Sequence, residues 1–356
     1  MGGAPRSSSQ RATVPFVLLS LIAGTLAISA SPTRVGTAAL DTSSRPFASA
    51  AAREDRDDAP AAHATFTNPV IDRDFPDPEV IRSGPLYYAY ATNSGGSNVQ
   101  VARSSDLVHW EQLPDALPTL PPWTRPGRTW APAVSATADG FVLYFVAWHR
   151  ASGRECIGVA TSAIPGGPFA PATVPLVCPL DAGGAIDPAA FVDGDGTRYL
   201  LWKNDGNCCG ITTRIYLQRM TDDGLALDGD PVALIAADRV WEGGIVEAPK
   251  LWLRDGIYHL FYSANGYGGA GYAIGHALAG SLFGPYLKDA VPFLASSVDI
   301  IGPGGQDIVV SGDGSTWLAY HAWDDSHRYR AMGLARLTWD GPQPLIRATR
   351  EPQTAP

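Results

Sequence analysis

Three acidic residues fall at matching places in a recurring stretch of this 356-residue chain. Asp77 sits in Asp-Phe-Pro-Asp-Pro-Glu-Val-Ile-Arg (74–82), Asp187 in Ala-Ile-Asp-Pro-Ala-Ala-Phe-Val (185–192), and Glu247 in Ile-Val-Glu-Ala-Pro-Lys-Leu (245–251). An aromatic-rich stretch follows each one: Leu86–Thr92, Arg198–Lys203 and Ile257–Ser263. Acidic groups on neighbouring copies of one structural unit converge on a shared axis. Converging carboxylates, one ionised and one protonated, are what acid–base cleavage of a glycosidic bond requires. Other acids fit less well. Glu242, in Trp-Glu-Gly-Gly, falls outside the phase of Asp77 and Asp187, and Asp74 lacks the following Pro. Asp193 and Asp195 resemble a fragment of a calcium loop, but its terminal Glu is missing and they read as hairpin-turn residues.

Such groups need a scaffold that repeats. From about residue 68 one pattern recurs, with an aromatic strand beginning near Leu86, Phe141, Arg198, Ile257 and Thr316. The last four follow tight-turn signals: Ala138-Asp139-Gly140, Asp193-Gly194-Asp195-Gly196, Arg254-Asp255-Gly256 and Gly312-Asp313-Gly314. Asp-Gly pairs supply the positive φ of two-residue hairpins. A third strand of alternating character comes next, as in Val99–Ser104, Ile157–Ser162 and Ile215–Arg219. No helical period appears after the N-terminal apolar run. Four strands per unit and five units predict an all-β fold, a five-bladed β-propeller over residues 65–350. A sandwich with a second domain leaves the fixed period unexplained. The strand before each turn signal lies nearest the axis, carrying Asp77, Ala131 (beside Trp130), Asp187, Glu247 and Gln306 (beside Asp307) in blade order. Blades one, three and four thereby each bring a carboxylate to one mouth of the channel.

Composition bounds the rest. Hydrophobic residues at 45% suffice for a packed core, and 38 Gly with 30 Pro imply many turns. A formal charge of −9 argues against nucleic acid, whose phosphates demand a basic face. Arg6 and Arg11 precede an apolar run, Val14 to Ala30, that ends in small residues. It reads as a cleaved export signal over residues 1–30, with a membrane anchor as the alternative. Residues 31–64 are Ala/Ser/Asp/Arg-rich and read as a disordered linker. Export permits disulfides. Cys156 and Cys178 flank a hairpin and its loop and suit a bridge, whereas Cys208 and Cys209 allow a vicinal bridge, bonds elsewhere or free thiols. No Cys or His spacing supports zinc.

Taken together, Asn68-Pro69-Val70 leading to Asp77-Pro78, Trp130-Ala131-Pro132, Ile186-Asp187-Pro188, Val246-Glu247-Ala248-Pro249, and Gly302-Pro303-Gly304 leading to Tyr320-His321-Ala322-Trp323 resemble glycoside hydrolase family 43. The likeness spans nearly all of residues 66–347. It implies hydrolysis of pentosides with inversion, Asp77 as general base, Glu247 as general acid, and Asp187 as the carboxylate that tunes and orients the acid. A third anion near the acid raises its pKa and keeps it protonated. By the same resemblance His321 matches a channel histidine that in family members contacts a calcium or sodium ion through water; a buried core histidine is the other reading. Arg330, on the strand after Trp323, is placed to reach a sugar hydroxyl, with a surface or blade-packing arginine as the other reading, and Trp130 either stacks on sugar or packs between blades. No cofactor is required, and a structural calcium or sodium ion in the central channel is the one ion implied. Two departures stand out: Ala133, where members carry an acid or amide, and Gly305, where they often carry His.

The expectation is a secreted, monomeric, exo-acting α-L-arabinofuranosidase on plant cell-wall polysaccharide or oligosaccharide, with no membrane partner once the signal is cleaved. β-Xylosidase and endo-arabinanase are the alternatives within the resemblance. A non-catalytic sugar-binding propeller would have lost a channel carboxylate. A fructan or sucrose hydrolase would carry Trp-x-Asn-Asp-Pro-Asn where this chain has Asp-Phe-Pro-Asp-Pro-Glu.

Overall fold

Tight hairpins are the unit of construction, closed by Gly84-Pro85 in blade 1 and by Asp- and Gly-bearing turns in the other four. Asp255 and Gly256 both hold positive φ, 51° and 76°, which matches the twist of the strands they join. Val246–Arg254 and Ile257–Ala264 therefore pair in one hairpin, from Val246↔Ala264 to Arg254↔Ile257. In the computed structural model, which describes residues 64–356, every such hairpin gains two more antiparallel strands. Five four-stranded sheets result, each from one continuous stretch of chain. The first strands are Glu79–Ser83, Thr124–Thr137, Ala185–Val192, Val246–Arg254 and Ile301–Val310. These contact one another in cyclic order, the last against the first, so the sheets close into the expected five-bladed β-propeller. Among the described residues there is no α-helix, only 3₁₀ turns at Leu180–Ala182, Gly206–Cys208 and Val240–Glu242. The expected signal (1–30) and linker (31–64) lie outside the described residues, apart from residue 64.

Both faces of each blade are buried, which explains the near-continuous apolar second strands. In Gly140–His149, the odd-numbered Leu143, Phe145 and Ala147 face blade 1 with Tyr90 and Val101. The even-numbered Val142, Tyr144 and Val146 face blade 3 with Leu200 and Trp202. The period of two sends alternate side chains to opposite neighbours, each fully buried large one contributing about 1.5–3 kcal/mol. Large rings need room at this spacing. A Cβ at Gly275 would stand 2.4 Å from Tyr262 Cζ, and one at Gly158 would stand 2.6 Å from Phe145 Cζ. Glycine on the third strand lets those rings fold across the sheet.

Because every blade is continuous in sequence, the junction of blades 5 and 1 closes without a shared strand. A clasp reinforces it: Thr65–Phe66 pairs with Gln353–Thr354, carrying the fold beyond the expected limit at residue 350. Asn68 donates from Nδ2 to Leu334 O (2.8 Å) and Thr349 O (3.0 Å), and its Oδ1 accepts the Leu334 N–H (2.8 Å). Cys156 is bridged to Cys178, and Cys208 to Cys209, which settles the open pairing as vicinal.

Asn68→Ala removes all three clasp bonds and leaves part-buried carbonyls without donors. A loss of about 2–4 kcal/mol is expected, seen as a lower urea midpoint. An unchanged midpoint would mean that blade packing alone closes the ring.

Candidate active site

In blades 2 to 5 the first strand carries an extra residue near one end of the channel. Opposite the second strand, pairing jumps from Trp130↔Val146 to Ala133↔Tyr144, from Ile186↔Lys203 to Ala189↔Leu201, from Glu247↔Ser263 to Lys250↔Phe261, and from Gly304↔His321 to Asp307↔Ala319. These are β-bulges, which bend a strand and re-aim its side chains. The first bulge residue is left-handed every time: Ala131 (39°), Asp187 (54°), Ala248 (46°) and Gly305 (55°), with Asp77 (55°) at the equivalent place in blade 1. Proline follows in four of the five, Pro78, Pro132, Pro188 and Pro249; it has no N–H to leave unpaired at a bulge. The expected axial set is thereby corrected. Ala248 and Gly305, not Glu247 and Gln306, are the counterparts of Asp77 and Asp187, so Glu247 stands one residue earlier than the phase assumed.

Side chains of one blade tie down the bulge amides of the next. His321 Nδ1 accepts the Asp77 N–H (3.0 Å), Thr92 Oγ1 the Ala131 N–H (2.9 Å), Asp187 Oδ2 the Ala248 N–H (2.8 Å) and Ser263 Oγ the Gly305 N–H (2.9 Å). The register makes Thr92, Lys203, Ser263 and His321 counterparts on their second strands. In blade 3 Lys203 reaches across to Glu247 instead (Nζ–Oε2 3.0 Å), and Asn207 Oδ1 holds the same ammonium at 2.7 Å. Tyr272 donates its hydroxyl to Glu247 Oε1 (2.8 Å).

Asp77, Asp187, Ala131, Ala248, Gly305 and Gln306 line a single axial cavity of about 30 Å³. The carboxyls around it are driven in opposite directions. Burial alone would raise Asp77, but the Arg330 guanidinium at 3.3 Å, His321 and the Thr92 hydroxyl at 2.6 Å outweigh it and hold the carboxyl well below its ordinary range. Asp187 is pushed up to about 7, by burial first and then by the charge of Glu247, against the opposing pull of Lys203. Asp77 is thereby held ionised at neutral pH, while Asp187 is the carboxyl held closest to its protonated form. An ionised carboxylate and a carboxyl of raised pKa line one cavity, the division of labour that acid–base cleavage of an acetal needs.

Of the other expected residues, Arg330 stands beside Asp77 with its guanidinium 4.9 Å from the centre of the exposed Tyr267 ring and 6.0 Å from that of Trp323. His321 is fully buried, its lowered pKa set by burial and then by Arg330. Trp130 is half-buried and packs on the cluster between blades 2 and 3. The rival acid Glu242 is elsewhere and fully engaged. Its Oε2 accepts the Asp238 and Arg239 N–H groups (2.8 and 2.9 Å), and its Oε1 meets Tyr262 (2.9 Å) and Lys288 (2.6 Å). Asp193 and Asp195 hold the expected turn, and Asp193 also accepts the Tyr258 hydroxyl. Lys203, Thr92, Ser263 and Tyr272 were not singled out from the sequence. Lys203 had a signal: a lone cation within an aromatic strand, and one of only three lysines in the chain. All three, Lys203, Lys250 and Lys288, are buried against carboxylates.

The implied channel ion finds few donors among the residues present. His321 Nδ1 is committed to the Asp77 amide, and its Nε2 faces Arg330 Nη1 at 3.5 Å. A side chain at Gly305 would stand 2.5 Å from His321 Nδ1. Lys250 already lies between Glu79 and Asp307. This donor set does not fit a metal ion.

A model of the family described as glycosyl hydrolases family 43 matches residues 66–342. A putative beta-xylosidase of Xylanibacter ruminicola is 28% identical over 289 residues, covering 79% of this chain and 50% of its own. A beta-D-galactofuranosidase of Aspergillus niger is 30% identical over 271 residues, covering 71% and 75%. The chain thus spans about half the length of the first relative and three quarters of the second. Among solved structures, a thermostable family-43 glycoside hydrolase superposes with a TM-score of 0.74 at 31% identity, over 82% of this chain and 99% of that one.

A buried carboxyl raised to about 7 from 3.8 favours folding at low pH and loses that contribution as pH rises through 7. Asp187→Asn keeps an acceptor for the Ala248 N–H and cannot ionise. Its melting temperature should therefore exceed that of the parent at pH 8, with the gap closing toward pH 4. A gap that is constant with pH would show that Asp187 is not held up in the folded state.

Proposed function

The chain belongs to glycosyl hydrolases family 43, and from that premise we propose that it is an exo-acting α-L-arabinofuranosidase that cleaves with inversion. Its substrate is arabinan or arabinose-substituted cell-wall polysaccharide. The observation that carries the reading is the electrostatic division at the site, with Asp77 held ionised beside Arg330 and Asp187 raised to about 7 by burial and the neighbouring Glu247. In the reaction, Asp77 takes a proton from water as the water oxygen bonds to the anomeric carbon. The glycosidic C–O bond breaks as Glu247, the general acid, gives a proton to the leaving oxygen. Lys203 and Tyr272 hold Glu247 from both of its oxygens. Asp187 fixes the adjoining peptide through the Ala248 N–H.

One feature supports attack at a chain end: the Arg330–Tyr267–Trp323 stack rises directly beside the base. The names of the relatives support β-xylosidase as the second reading. The apolar run before residue 31 supports export, and the protein is proposed to act outside the cell as a monomer. Initial rates on paired p-nitrophenyl α-L-arabinofuranoside and β-D-xylopyranoside test the sugar; preference for the xyloside overturns the arabinofuranosidase assignment. Proton NMR of the first-formed product tests inversion, and a product retaining the substrate's anomeric configuration rules it out.

Glu247→Gln should lower kcat/KM about 10²–10⁴-fold on substrates with alkoxide leaving groups. It should do far less on activated aryl glycosides, whose phenolate leaves unaided. Asp77→Asn should damage both alike. Glu242→Gln should lower stability without leaving-group dependence, and the opposite pattern for the two Glu variants would transfer the acid role. Arg330→Met removes the cation that depresses Asp77, so Asp77 should protonate at higher pH. The acidic limb of the kcat/KM profile should move upward; a limb left in place would separate Arg330 from the base.

A further inference from the structure

We propose that Lys250 is the built-in counter-cation of the central channel, an ammonium standing where an axial ion would otherwise be needed, so that this propeller is independent of bound metal. One layer along the axis from the bulges, the blades contribute Glu79, Ala133, Ala189, Lys250 and Asp307, all residues that resume pairing immediately after the bulges or their blade 1 equivalent. Two acids and one amine occupy this ring, and the other two places are methyl groups. Lys250 Nζ is ion-paired to Asp307 Oδ1 and lies 3.4 Å from Glu79 Oε2. Asp307 Oδ2 also accepts the Val80 N–H at 2.6 Å. The side chains are 13% (Lys250), 11% (Glu79) and 1% (Asp307) exposed, so no bulk water neutralises them.

The ring's charges close without a further ion. Glu79 is raised to about 8 by burial and then by Asp307. Burial would lower Lys250, but Asp307 and Glu79 outweigh it and hold it above its ordinary value. With Glu79 raised and Lys250 held charged between the two acids, the ammonium supplies the cation of this layer. A calcium ion seeks six to eight oxygen donors. Here it would find two side chains already bound to an ammonium, two alanines, and a histidine above with no free lone pair. Ala133 and Gly305, the two departures from the family pattern, both withhold donors from this axis. The inference is independent of which glycoside is cleaved.

The test is thermal. Full-length protein stripped with EDTA should melt at the same temperature as untreated protein, and neither CaCl₂ nor NaCl at matched ionic strength should shift it. Lys250→Ala leaves Glu79 and Asp307 facing a vacant, methyl-lined space. It should melt lower and recover at least about 4 °C when CaCl₂ reaches a hundredfold excess over its dissociation constant. Adding Asp307→Asn should abolish that recovery. A parent protein whose melting temperature falls in EDTA and returns with calcium overturns the proposal, and that arm stands even if Lys250→Ala does not fold. A folded Lys250→Ala indifferent to calcium and sodium overturns it as well.

Discussion

The site depends on a ring of backbone amides held across blade boundaries. At one height of the channel a residue is inserted into each of blades 2 to 5, and blade 1 has the matching turn at Asp77. The inserted residue is forced into left-handed backbone, at about 1–3 kcal/mol for a residue other than glycine. Thr92, Asp187, Ser263 and His321 each receive such an amide from the following blade. Strain of this kind persists only where neighbours over-determine it. Blades are otherwise joined by non-directional apolar packing, so these bonds set the angular position of one blade on the next. The relative placement of Asp77, Asp187 and Glu247 follows from them.

Charge is distributed around that ring with a consistent logic. Cations stand on the outer side of the carboxyls: Arg330 beside Asp77, Lys203 beside Glu247. Asp187, without a cation in direct contact, is the one driven upward, by burial first and then by the charges of Glu247 and Asp77. One scaffold thereby makes a strong and a weak acid from groups of the same chemistry, through differences in what each faces rather than in depth of burial.

The blades were readable because their signals are local. Asp-Gly turns, alternating aromatic strands and a fixed period all lie within short windows, and together they gave the architecture and its count. Asp77 and Asp187 were readable because each directly precedes a proline, and Glu247 because one stands two residues on. The register at Glu247 was misjudged for a related reason: the motifs were aligned on their acids, whereas the bulge is marked by the proline that follows it. Aligned on Pro78, Pro132, Pro188 and Pro249, the series yields Asp77, Ala131, Asp187 and Ala248 directly. Tyr272 and Ser263 carry no such marker, since their roles arise from blade-to-blade contact, which a linear motif does not record. Cys208 and Cys209 left their pairing open because adjacency permits several bonds, and only the folded loop selects one.

The burial of every lysine has a chemical corollary at the surface. With Lys203, Lys250 and Lys288 all enclosed in ion pairs, the exposed cations of the described residues are arginines, and no side chain offers a free primary amine to solvent. Aldehydes and active esters are left with the chain terminus as their main point of attack. Aldopentoses are among the sugars that condense readily with amines. An enzyme of the proposed kind, working in the accumulating product of its own reaction, presents almost nothing for that product to glycate.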